Sequence, residues 1–548
     1  MKHKHKEYIL ENINKKSIEQ IARDLGLKER KIRQYLKGVK TETAKTEEKG
    51  EVMPGQPKVK SAFILFLIAV LTVGIYFNSL KGGFVFDDKP MIVQYDFIKD
   101  IRNIPKAFIS STNIFGNTNY YRPLQTVSYM VDYFLWADDP LGFHMTNVMF
   151  HILAVMAIYF FIILLFGNKI YAALTALFFS VHPVHTAAVS YIAGRADSML
   201  CLFAVLSLHC YIKFKYLKTG KGCFALSVLF FIFALLTKES ALIVPLVILL
   251  FDIFLFRWTV LKKGIPEPLY YTPFAVTLAA YLLFRVKYMS FYTPGTVEPF
   301  PFFSRIITAP YIMMQYVRLI FFPNDLHIER LAWVGSSFFN VRIFLSTALL
   351  VILLLVVYKA QKNSKPVFFG FLWFLIWIFP SLNIVTPLLS TLADNWLYIP
   401  SIGLFLILAF RIAQLYDITR KKNIFLSFSV ILITLLYVAS MAAITVTHNK
   451  NWASEIAVCE NTIRFNPLAF KVYNNLGVAY AEMGKMDKAE ESFLKCLEIK
   501  PDTGMAYYNL YKIYAGRGDM DKANECLNKA KELDPYEVNV LIEKKYRK

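Results

Sequence analysis

Long apolar stretches separated by short polar turns occupy the chain from residue 61 to residue 446. Most of these stretches approach the roughly 20 apolar residues that an α-helix needs to cross a bilayer. The pattern therefore predicts an all-α fold with a polytopic helical membrane domain. Eleven spans are predicted, near residues 61–80, 147–166, 170–187, 198–215, 223–238, 241–257, 269–287, 342–359, 366–384, 397–415 and 423–446.

The turns between these spans alternate in their content of Lys and Arg. The rich turns are 213–221, 257–263, 359–365 and 411–422, and basic turns mark the cytoplasmic side of a membrane. The further apolar stretch 306–322 carries Arg318 and is followed by Pro323. A span there would break the alternation, so the stretch is predicted to be interfacial or re-entrant. The chain is then a multi-pass plasma membrane protein with a cytoplasmic N-terminus and everything after residue 447 outside.

The composition agrees with a membrane protein. Of 548 residues, 56% are hydrophobic and 18% are charged, which is too apolar for a soluble chain of this size. The net charge of +21 could indicate nucleic-acid binding, but much of it lies in residues 1–60 and in short turns, where membrane orientation accounts for it. The six cysteines lack CxxC or His/Cys metal spacing, so neither a disulfide framework nor a zinc site is predicted.

Residues 1–38 have the pattern of a cytoplasmic helix-turn-helix-like segment, followed by a flexible linker over residues 39–60. Ala22 would let two helices approach, Gly26 would make the turn, and Ile32 and Leu36 would pack the second helix. The cations that would then point outward are Lys28, Arg30, Lys31 and Arg33. Binding of DNA through residues 18–37 is one hypothesis. The other is a small basic hairpin that only holds the N-terminus inside.

Residues 448–548 carry a repeat of fixed period. Pro467, Pro501 and Pro535 are each 34 residues apart, which is the tetratricopeptide period. The matching pairs are Asn475 with Asn509, Leu476 with Leu510, Tyr480 with Tyr514, Gly484 with Gly518, Ala489 with Ala523, and Cys496 with Ala530. The stretch 452–465 is interpreted as a preceding half unit. Two roles stay open: a packing cap on the membrane domain, or a concave groove for an exported polypeptide acceptor.

Unusual polar residues collect on the predicted outer face of the membrane domain, which spans residues 61–447. Asp87 and Asp88 begin a polar outward loop, 81–146, that also carries Arg122. Further residues on this face are Tyr121, His144, Asn147, His151, His182, His185, Arg195, Asp197, Lys238 and Glu239. Ionisable residues at membrane depth are costly and usually mark a site. Singly, each could be structural: Lys238 and Glu239 could be a neutralised pair at a turn. Together they predict one outward active site.

Several short motifs on this face resemble those of one family. They are Phe86-Asp87-Asp88, Tyr121-Arg122-Pro123-Leu124, Phe143-His144 through Asn147 to His151, His182-Pro183-Val184-His185, Gly194-Arg195-Ala196-Asp197, Lys238-Glu239 and Leu397-Tyr398-Ile399-Pro400-Ser401. With the repeats that follow, they resemble the transmembrane and tetratricopeptide repeat-containing O-mannosyltransferases and their bacterial relatives, over roughly residues 61–535. The chain departs from the family pattern at one position. Asp394 supplies the acid that precedes the Leu-Tyr motif, but the arginine that usually follows this acid in the family is absent.

The resemblance implies a GT-C glycosyltransferase fold and a polyprenyl-phosphate-linked sugar as donor. The expected reaction is an inverting transfer of the sugar to a hydroxyl acceptor, with Ser or Thr of exported protein as the candidates. Asp87 or Asp88 would act as general base. The groups expected to hold the donor phosphate are Arg122, Arg195, Lys238 and His185, with support from Tyr121, His144, Asn147, His151, His182, Asp197, Glu239, Asp394 and Tyr398.

Other interpretations and details stay open at this stage. The sequence assigns no cofactor and leaves metal dependence open, since the acid pair could bind a divalent cation. The expected partners are membrane lipid, the lipid-linked sugar donor and an exported polypeptide. One alternative function is a non-catalytic membrane scaffold that recruits proteins through its repeats. A second is a membrane-anchored regulator whose output is the helix-turn-helix.

Overall fold

A computed structural model of the chain describes residues 18–27, 29, 31–32, 35, 60–109, 121–258, 268–288, 300–330, 334–335, 337–385, 390–536, 538–539 and 541. It divides into one unit of residues 1–58 and a second of residues 59–548. The regular structure of the described ranges is helical, apart from one bridge between Arg330 and Leu392. The all-α prediction is therefore confirmed.

The first unit contains helix α1 (Ile18–Leu25). Gly26 follows it with a φ of +62°, a left-handed conformation that glycine adopts without strain. Ile21 and Ala22, on α1, are buried together with Ile32, which follows the turn. The linker residues 39–59, the basic residues Lys28, Arg30 and Arg33, and Leu36 lie outside the described residues.

The second unit begins with the helices of the membrane domain. Those of eight or more residues are α2 (Ser61–Tyr76), α3 (Pro123–Trp136), α4 (Pro140–Phe166), α5 (Lys169–Val181), α6 (Arg195–Leu217), α7 (Lys221–Leu235), α8 (Val244–Trp258), α9 (Thr272–Tyr288), α10 (Phe302–Phe321), α11 (Val341–Asn363), α12 (Lys365–Ile378), α13 (Ser401–Lys422) and α14 (Ile424–Asn449).

Each of the eleven predicted spans coincides with one of these helices. Among the described residues, seven helices are long and apolar enough to cross a membrane, or eight if α5 and the helical segment Pro183–Val189, bent by 57°, form one span. The helices α7, α8 and α9 are shorter, with 15, 15 and 17 residues. The 20-residue helix α10, which carries Pro310, is not one of the seven, and its place relative to the bilayer stays a prediction.

Helix α4 begins seven residues earlier than the predicted span. Asp139 caps it by accepting a hydrogen bond from the backbone N–H of Leu141, and Pro140 occupies the first turn. The loop 81–146 also contains regular structure, because α3 and several short helical turns lie within it. His144 and Asn147 are consequently fixed on a helix, which gives their side chains defined positions.

Helices α12 and α13 cross at two glycines. A Cβ on Gly370 would lie 2.3 Å from the carbonyl oxygen of Gly403, and a Cβ on Gly403 would lie 2.0 Å from that of Gly370. Small residues at such crossings let helix backbones approach closely. This contact fixes the start of α13, and with it the preceding segment that carries Asp394 and Tyr398.

The C-terminal array consists of α15 (Glu455–Phe465), α16 (Phe470–Glu482), α17 (Met486–Ile499), α18 (Gly504–Arg517) and α19 (Met520–Leu533). Ala489 and Cys496 on α17, and Ala523 and Ala530 on α19, are fully buried where paired helices touch. The predicted helical repeat is therefore confirmed, with α15 as the half unit that precedes it.

Thiol labelling tests the predicted orientation. Thr219 lies in a basic turn between α6 and α7, and Lys485 lies in the array; both are exposed. We expect Lys485→Cys to react with a membrane-impermeant reagent on intact cells, and Thr219→Cys to react only after permeabilisation, because basic turns remain cytoplasmic. The parent protein, with its six native cysteines, gives the baseline. Labelling of Thr219→Cys from outside would contradict the orientation.

Candidate active site

A cavity of about 220 Å³ lies where the loop after α2 meets the ends of several membrane helices. Its polar and aromatic walls are formed by Asp87, Arg122, Tyr191, Asp197, Lys238, His327, Asp394, Asn395 and Trp452. These residues come from seven segments that are far apart in the sequence. Of the predicted site residues, the structure thus brings together Asp87, Arg122, Asp197, Lys238 and Asp394 around one space.

The two adjacent carboxylates occupy different environments. Asp88 is fully buried. Its Oδ2 accepts a hydrogen bond from the Val85 amide at 3.0 Å, and its Oδ1 accepts one from the Ala193 amide at 2.7 Å. Asp87 instead lines the cavity. Asp88 therefore joins the loop after α2 to the segment before α6, and Asp87 is the carboxylate available to a bound molecule.

The surroundings of Asp87 suit a proton acceptor. Its side chain is exposed to the cavity, but the protein around this recess partly desolvates it and raises its pKa above the ordinary value. The Tyr191 hydroxyl and the Arg122 charge act in the opposite direction. The Asp87 backbone N–H also donates to the Tyr191 hydroxyl at 3.1 Å, and the Tyr191 ring stacks on Trp452 with centroids 4.9 Å apart.

Arg122 is held at the cavity wall by a carboxylate. Its Nη2 lies 3.1 Å from Glu239 Oε2, while Arg285 Nη1 on α9 lies 3.0 Å from Glu239 Oε1. Burial would raise the pKa of Glu239, but the two guanidinium charges outweigh it and lower the pKa to about 2. Glu239 is therefore ionised and fixes Arg122 in place before any anion enters.

Lys238 has a different partner from its neighbour Glu239. Its Nζ lies 2.5 Å from Asp197 Oδ1, and the amide of Asn395 donates to Asp197 Oδ2 at 2.9 Å. The local sequence would allow Lys238 and Glu239 to pair with each other. In the structure each of them instead binds groups from a different part of the chain. The result places an ammonium group on a second wall of the cavity.

Asp394 pairs with an arginine that is distant in the sequence. Its Oδ1 lies 3.0 Å from Arg330 Nε, and its Oδ2 accepts from the His327 backbone N–H at 3.0 Å. Arg330 also pairs with Asp325 at 3.0 Å. The arginine missing after Asp394 thus has a counterpart in the loop between α10 and α11, although Arg330 itself is not a lining residue of the cavity.

Arg195 lies inside the protein and away from the cavity wall. It is fully buried, and its Nη2 forms an ion pair with Asp132 Oδ2 at 2.5 Å. Its Nε donates to Asn147 Oδ1 at 2.6 Å, its Nη1 to Ser128 Oγ at 3.0 Å, and its Nη2 to the Phe143 carbonyl at 2.9 Å. The sequence places Arg195 among the donor-phosphate ligands, whereas these contacts make it an internal connection between α3, α4 and α6.

The predicted His185 also bonds to protein groups, with Nδ1 2.7 Å from the Phe179 carbonyl and Nε2 3.1 Å from Ser401 Oγ. His151 Nδ1 lies 2.6 Å from the Tyr398 hydroxyl. The remaining predicted residues that are buried and are not lining residues are Tyr121, His144, Asn147 and His182. This group packs the helices behind the cavity, and none of its members reaches the cavity in the structure.

The carboxylates give little support for a metal site. Within the described residues, no group of three or more His, Cys, Asp or Glu side chains is placed to hold a metal ion. The Asp87 and Asp88 pair does not converge either, since both oxygens of Asp88 accept backbone hydrogen bonds.

Of the polar and aromatic wall residues named above, four are not predicted from the sequence: Tyr191, His327, Asn395 and Trp452. Tyr191 lies between two motifs that were recognised, so its position in the sequence carried a signal. The repeat pattern assigns Trp452 to the array and gives no sign of its place in the cavity wall. Arg285 behind the wall was also missed, because it lies near the end of an apolar stretch and resembles a terminal cation of a span.

Comparisons with known proteins agree with these features. Two tetratricopeptide repeat models match residues 470–503 and 506–537. The chain is 25% identical over 484 residues to mouse Protein O-mannosyl-transferase TMTC3, covering 80% of this chain and 51% of that protein. It is 25% identical over 460 residues to Caenorhabditis elegans Protein O-mannosyl-transferase F38B6.6, covering 80% and 63%. The predicted resemblance is confirmed, and the chain spans about half the length of the TMTC3 protein.

Solved structures give weaker similarities. An oligosaccharyltransferase from Archaeoglobus fulgidus, tethered with an acceptor peptide, aligns with a TM-score of 0.42 and 13% identity, covering 76% of this chain and 58% of that one. ArnT from Cupriavidus metallidurans, bound to undecaprenyl phosphate, aligns with a TM-score of 0.39 and 13% identity, covering 82% and 78%. These similarities are too low to carry a conclusion about this chain.

Proposed function

We propose that the chain is a membrane glycosyltransferase of the O-mannosyltransferase kind. It would transfer a sugar from a polyprenyl-phosphate donor to a hydroxyl of an exported polypeptide on the outer face. One observation carries the proposal: the carboxylate of Asp87 shares a 220 Å³ cavity with the cations Arg122 and Lys238. A base and phosphate-binding groups around one space are the parts that this transfer requires.

In the proposed step, the acceptor oxygen attacks the anomeric carbon while the bond between that carbon and the phosphate oxygen breaks. Asp87 accepts the proton of the hydroxyl, and the phosphate leaves with the bonding electron pair. Attack opposite the leaving group inverts the anomeric configuration. Asp88 has a positioning role in this scheme, because both of its oxygens bind backbone amides.

The leaving phosphate carries charge that the cavity is equipped to stabilise. Arg122 is held from behind by Glu239, and Lys238 by Asp197, so both cations are fixed before the donor binds. Preorganised cations of this kind act most strongly where charge develops in the transition state. We assign Arg122 and Lys238 to the donor phosphate, and Arg195 and His185 to support of the helices that position them.

The acceptor is assigned to the side of the repeat array. Trp452, at the start of the repeat region 448–548, forms part of the cavity wall. A polypeptide lying along the array could therefore present a Ser or Thr hydroxyl to Asp87. Tetratricopeptide repeats form extended concave surfaces that suit such a ligand.

The direct test is transfer by the purified chain in lipid nanodiscs given a labelled polyprenyl-phosphate sugar and an exported protein. We expect release of polyprenyl phosphate together with labelled sugar on the protein. Release of polyprenyl phosphate without labelled protein would indicate that another acceptor, or water, takes the sugar in place of the polypeptide. If no lipid-linked sugar supports either reaction, the proposal is contradicted and a scaffold function is favoured.

A variant at Arg122 tests the phosphate assignment. Arg122→Ala should raise the KM for the donor by roughly 10- to 100-fold, because a hydrogen bond to a charged group contributes about 1.5–3 kcal/mol. Arg102→Ala is the matched control: it removes an arginine from the same loop, but its side chain is 87% exposed and pairs with Asp100. An unchanged donor KM in Arg122→Ala would remove this residue from the donor site.

A further inference from the structure

The residue before Asp87 has an unusual backbone conformation. Phe86 has a φ of +47°, in the left-handed region that a bulky side chain rarely occupies. Such a conformation persists only where surrounding contacts hold it. Because Phe86 directly precedes Asp87, its backbone determines where the Asp87 carboxylate points. The groups that hold Phe86 therefore bear on the candidate base.

Those groups belong to the repeat array. Glu455 lies on α15, and its Oε2 accepts a hydrogen bond from the Phe86 backbone N–H at 2.8 Å. The Phe86 side chain packs against an apolar cluster of the array formed by Cys459, Ala469, Val472 and Leu476. The contact is therefore both polar and apolar, and its partners are more than 360 residues away in the sequence.

Two flanking contacts join the same loop to the array. The Gly83 amide donates to the Ala453 carbonyl at 3.0 Å, and Lys89 Nζ lies 2.8 Å from Glu482 Oε2 at the end of α16. Glu455 Oε2 is 3.9 Å from the same ammonium group. The loop from 83 to 89 is thus attached to the array before, at and after Phe86.

We propose that Glu455 is a positioning residue for Asp87, and that the repeat array thereby forms part of the catalytic unit. This inference rests on the proposed function. Glu455 is not a lining residue of the cavity, so it acts through the Phe86 backbone and does not touch a bound substrate. Loss of its carboxylate would free the Phe86 amide and let the Asp87 side chain leave its place at the wall.

Two substitutions at this position separate the hydrogen bond from the charge. Glu455→Ala removes the acceptor, and we expect kcat to fall about 10- to 100-fold with the donor KM unchanged, since a small displacement of a reacting group has effects of this size. Glu455→Gln keeps a carbonyl acceptor and should restore most of the rate. Glu460→Ala, at an exposed acid on the same helix, is the control and should leave the rate unchanged.

Hydrogen–deuterium exchange of the full chain gives a readout that does not depend on activity. Peptides covering residues 83–89 should exchange faster in Glu455→Ala than in the parent, Glu455→Gln or Glu460→Ala. Unchanged exchange in Glu455→Ala overturns the inference, and so does faster exchange with an unchanged kcat. A parent without transfer activity would contradict the proposed function alone, while the exchange would still decide whether Glu455 holds the loop.

Discussion

Asp87→Asn should lower the rate of sugar transfer by about 10²–10⁴-fold, the range usual for loss of a general base. The substitution keeps the size of the side chain and removes its ability to accept a proton. Asp87 lines the cavity and is exposed there, so the folded structure should be retained. The measurement is kcat with a labelled lipid-linked sugar, together with the thermal unfolding midpoint of the same preparation.

Substitution of the neighbouring acid, Asp88, should lower the stability of the protein, whereas substitution of Asp87 should lower the rate. Asp88→Asn would direct an amide NH₂ at one of the two backbone N–H groups that Asp88 now binds, those of Val85 and Ala193. A buried donor facing a donor is destabilising, so this variant should lose stability. Asp96→Asn is the control and should change neither stability nor rate, because this acid of the same loop is 90% exposed.

Full activity in Asp87→Asn would contradict the role of Asp87 as a base and leave its carboxylate a structural role.

The pH dependence of the rate distinguishes a base from a structural carboxylate. A general base must be ionised, so the rate should fall as the pH falls through the pKa of Asp87. Because partial desolvation raises that pKa, the loss should begin above the ordinary range of an aspartate. In Asp87→Asn the small residual rate should no longer depend on this ionisation.

The helices and the repeat array could be predicted from the sequence because both follow periodic patterns of apolar residues. The short helices α7, α8 and α9 were found in the same way, although their lengths of 15 to 17 residues set them apart from the longer spans. The grouping of polar residues at one end of the bundle was also predictable, since it follows from counting spans between them.

The roles of single residues within that group could not be predicted. Which of two adjacent acids faces the cavity depends on the left-handed backbone of Phe86, and Glu455 of the array holds that conformation. Likewise, Lys238 and Glu239 are neighbours in the chain but bind groups on different helices. Such choices arise from contacts between distant segments, which one sequence does not reveal.

The boundary between membrane domain and array illustrates the same limit. The repeat period separates residues 448–548 clearly in the sequence, so the array resembles an attached module. In the structure, Trp452 lines the cavity, and Phe86 packs against the apolar cluster of the array that contains Val472 and Leu476. Deleting the repeats would therefore disturb the loop that carries Asp87 as well as any acceptor surface.

Arg195→Ala should destabilise the chain by about 3–5 kcal/mol, the range found when one partner of a buried ion pair is removed. Asp132 would remain as a buried carboxylate without its guanidinium, and Asn147 would lose a donor at 2.6 Å. The expected result is a lower thermal unfolding midpoint in nanodiscs. The fraction of protein that remains folded should bind the lipid-linked donor with the parent's KM, since Arg195 is not a lining residue of the cavity.

The double variant Arg195→Met/Asp132→Leu supplies the control. Replacing both members of a buried pair by apolar residues is often neutral or stabilising, so this variant should recover part of the stability that Arg195→Ala loses. Recovery would confirm that the guanidinium serves the packing of α3, α4 and α6. If Arg195→Ala instead kept the parent's unfolding midpoint and raised the donor KM, Arg195 would contact the phosphate, and the role assigned to it from the sequence would stand.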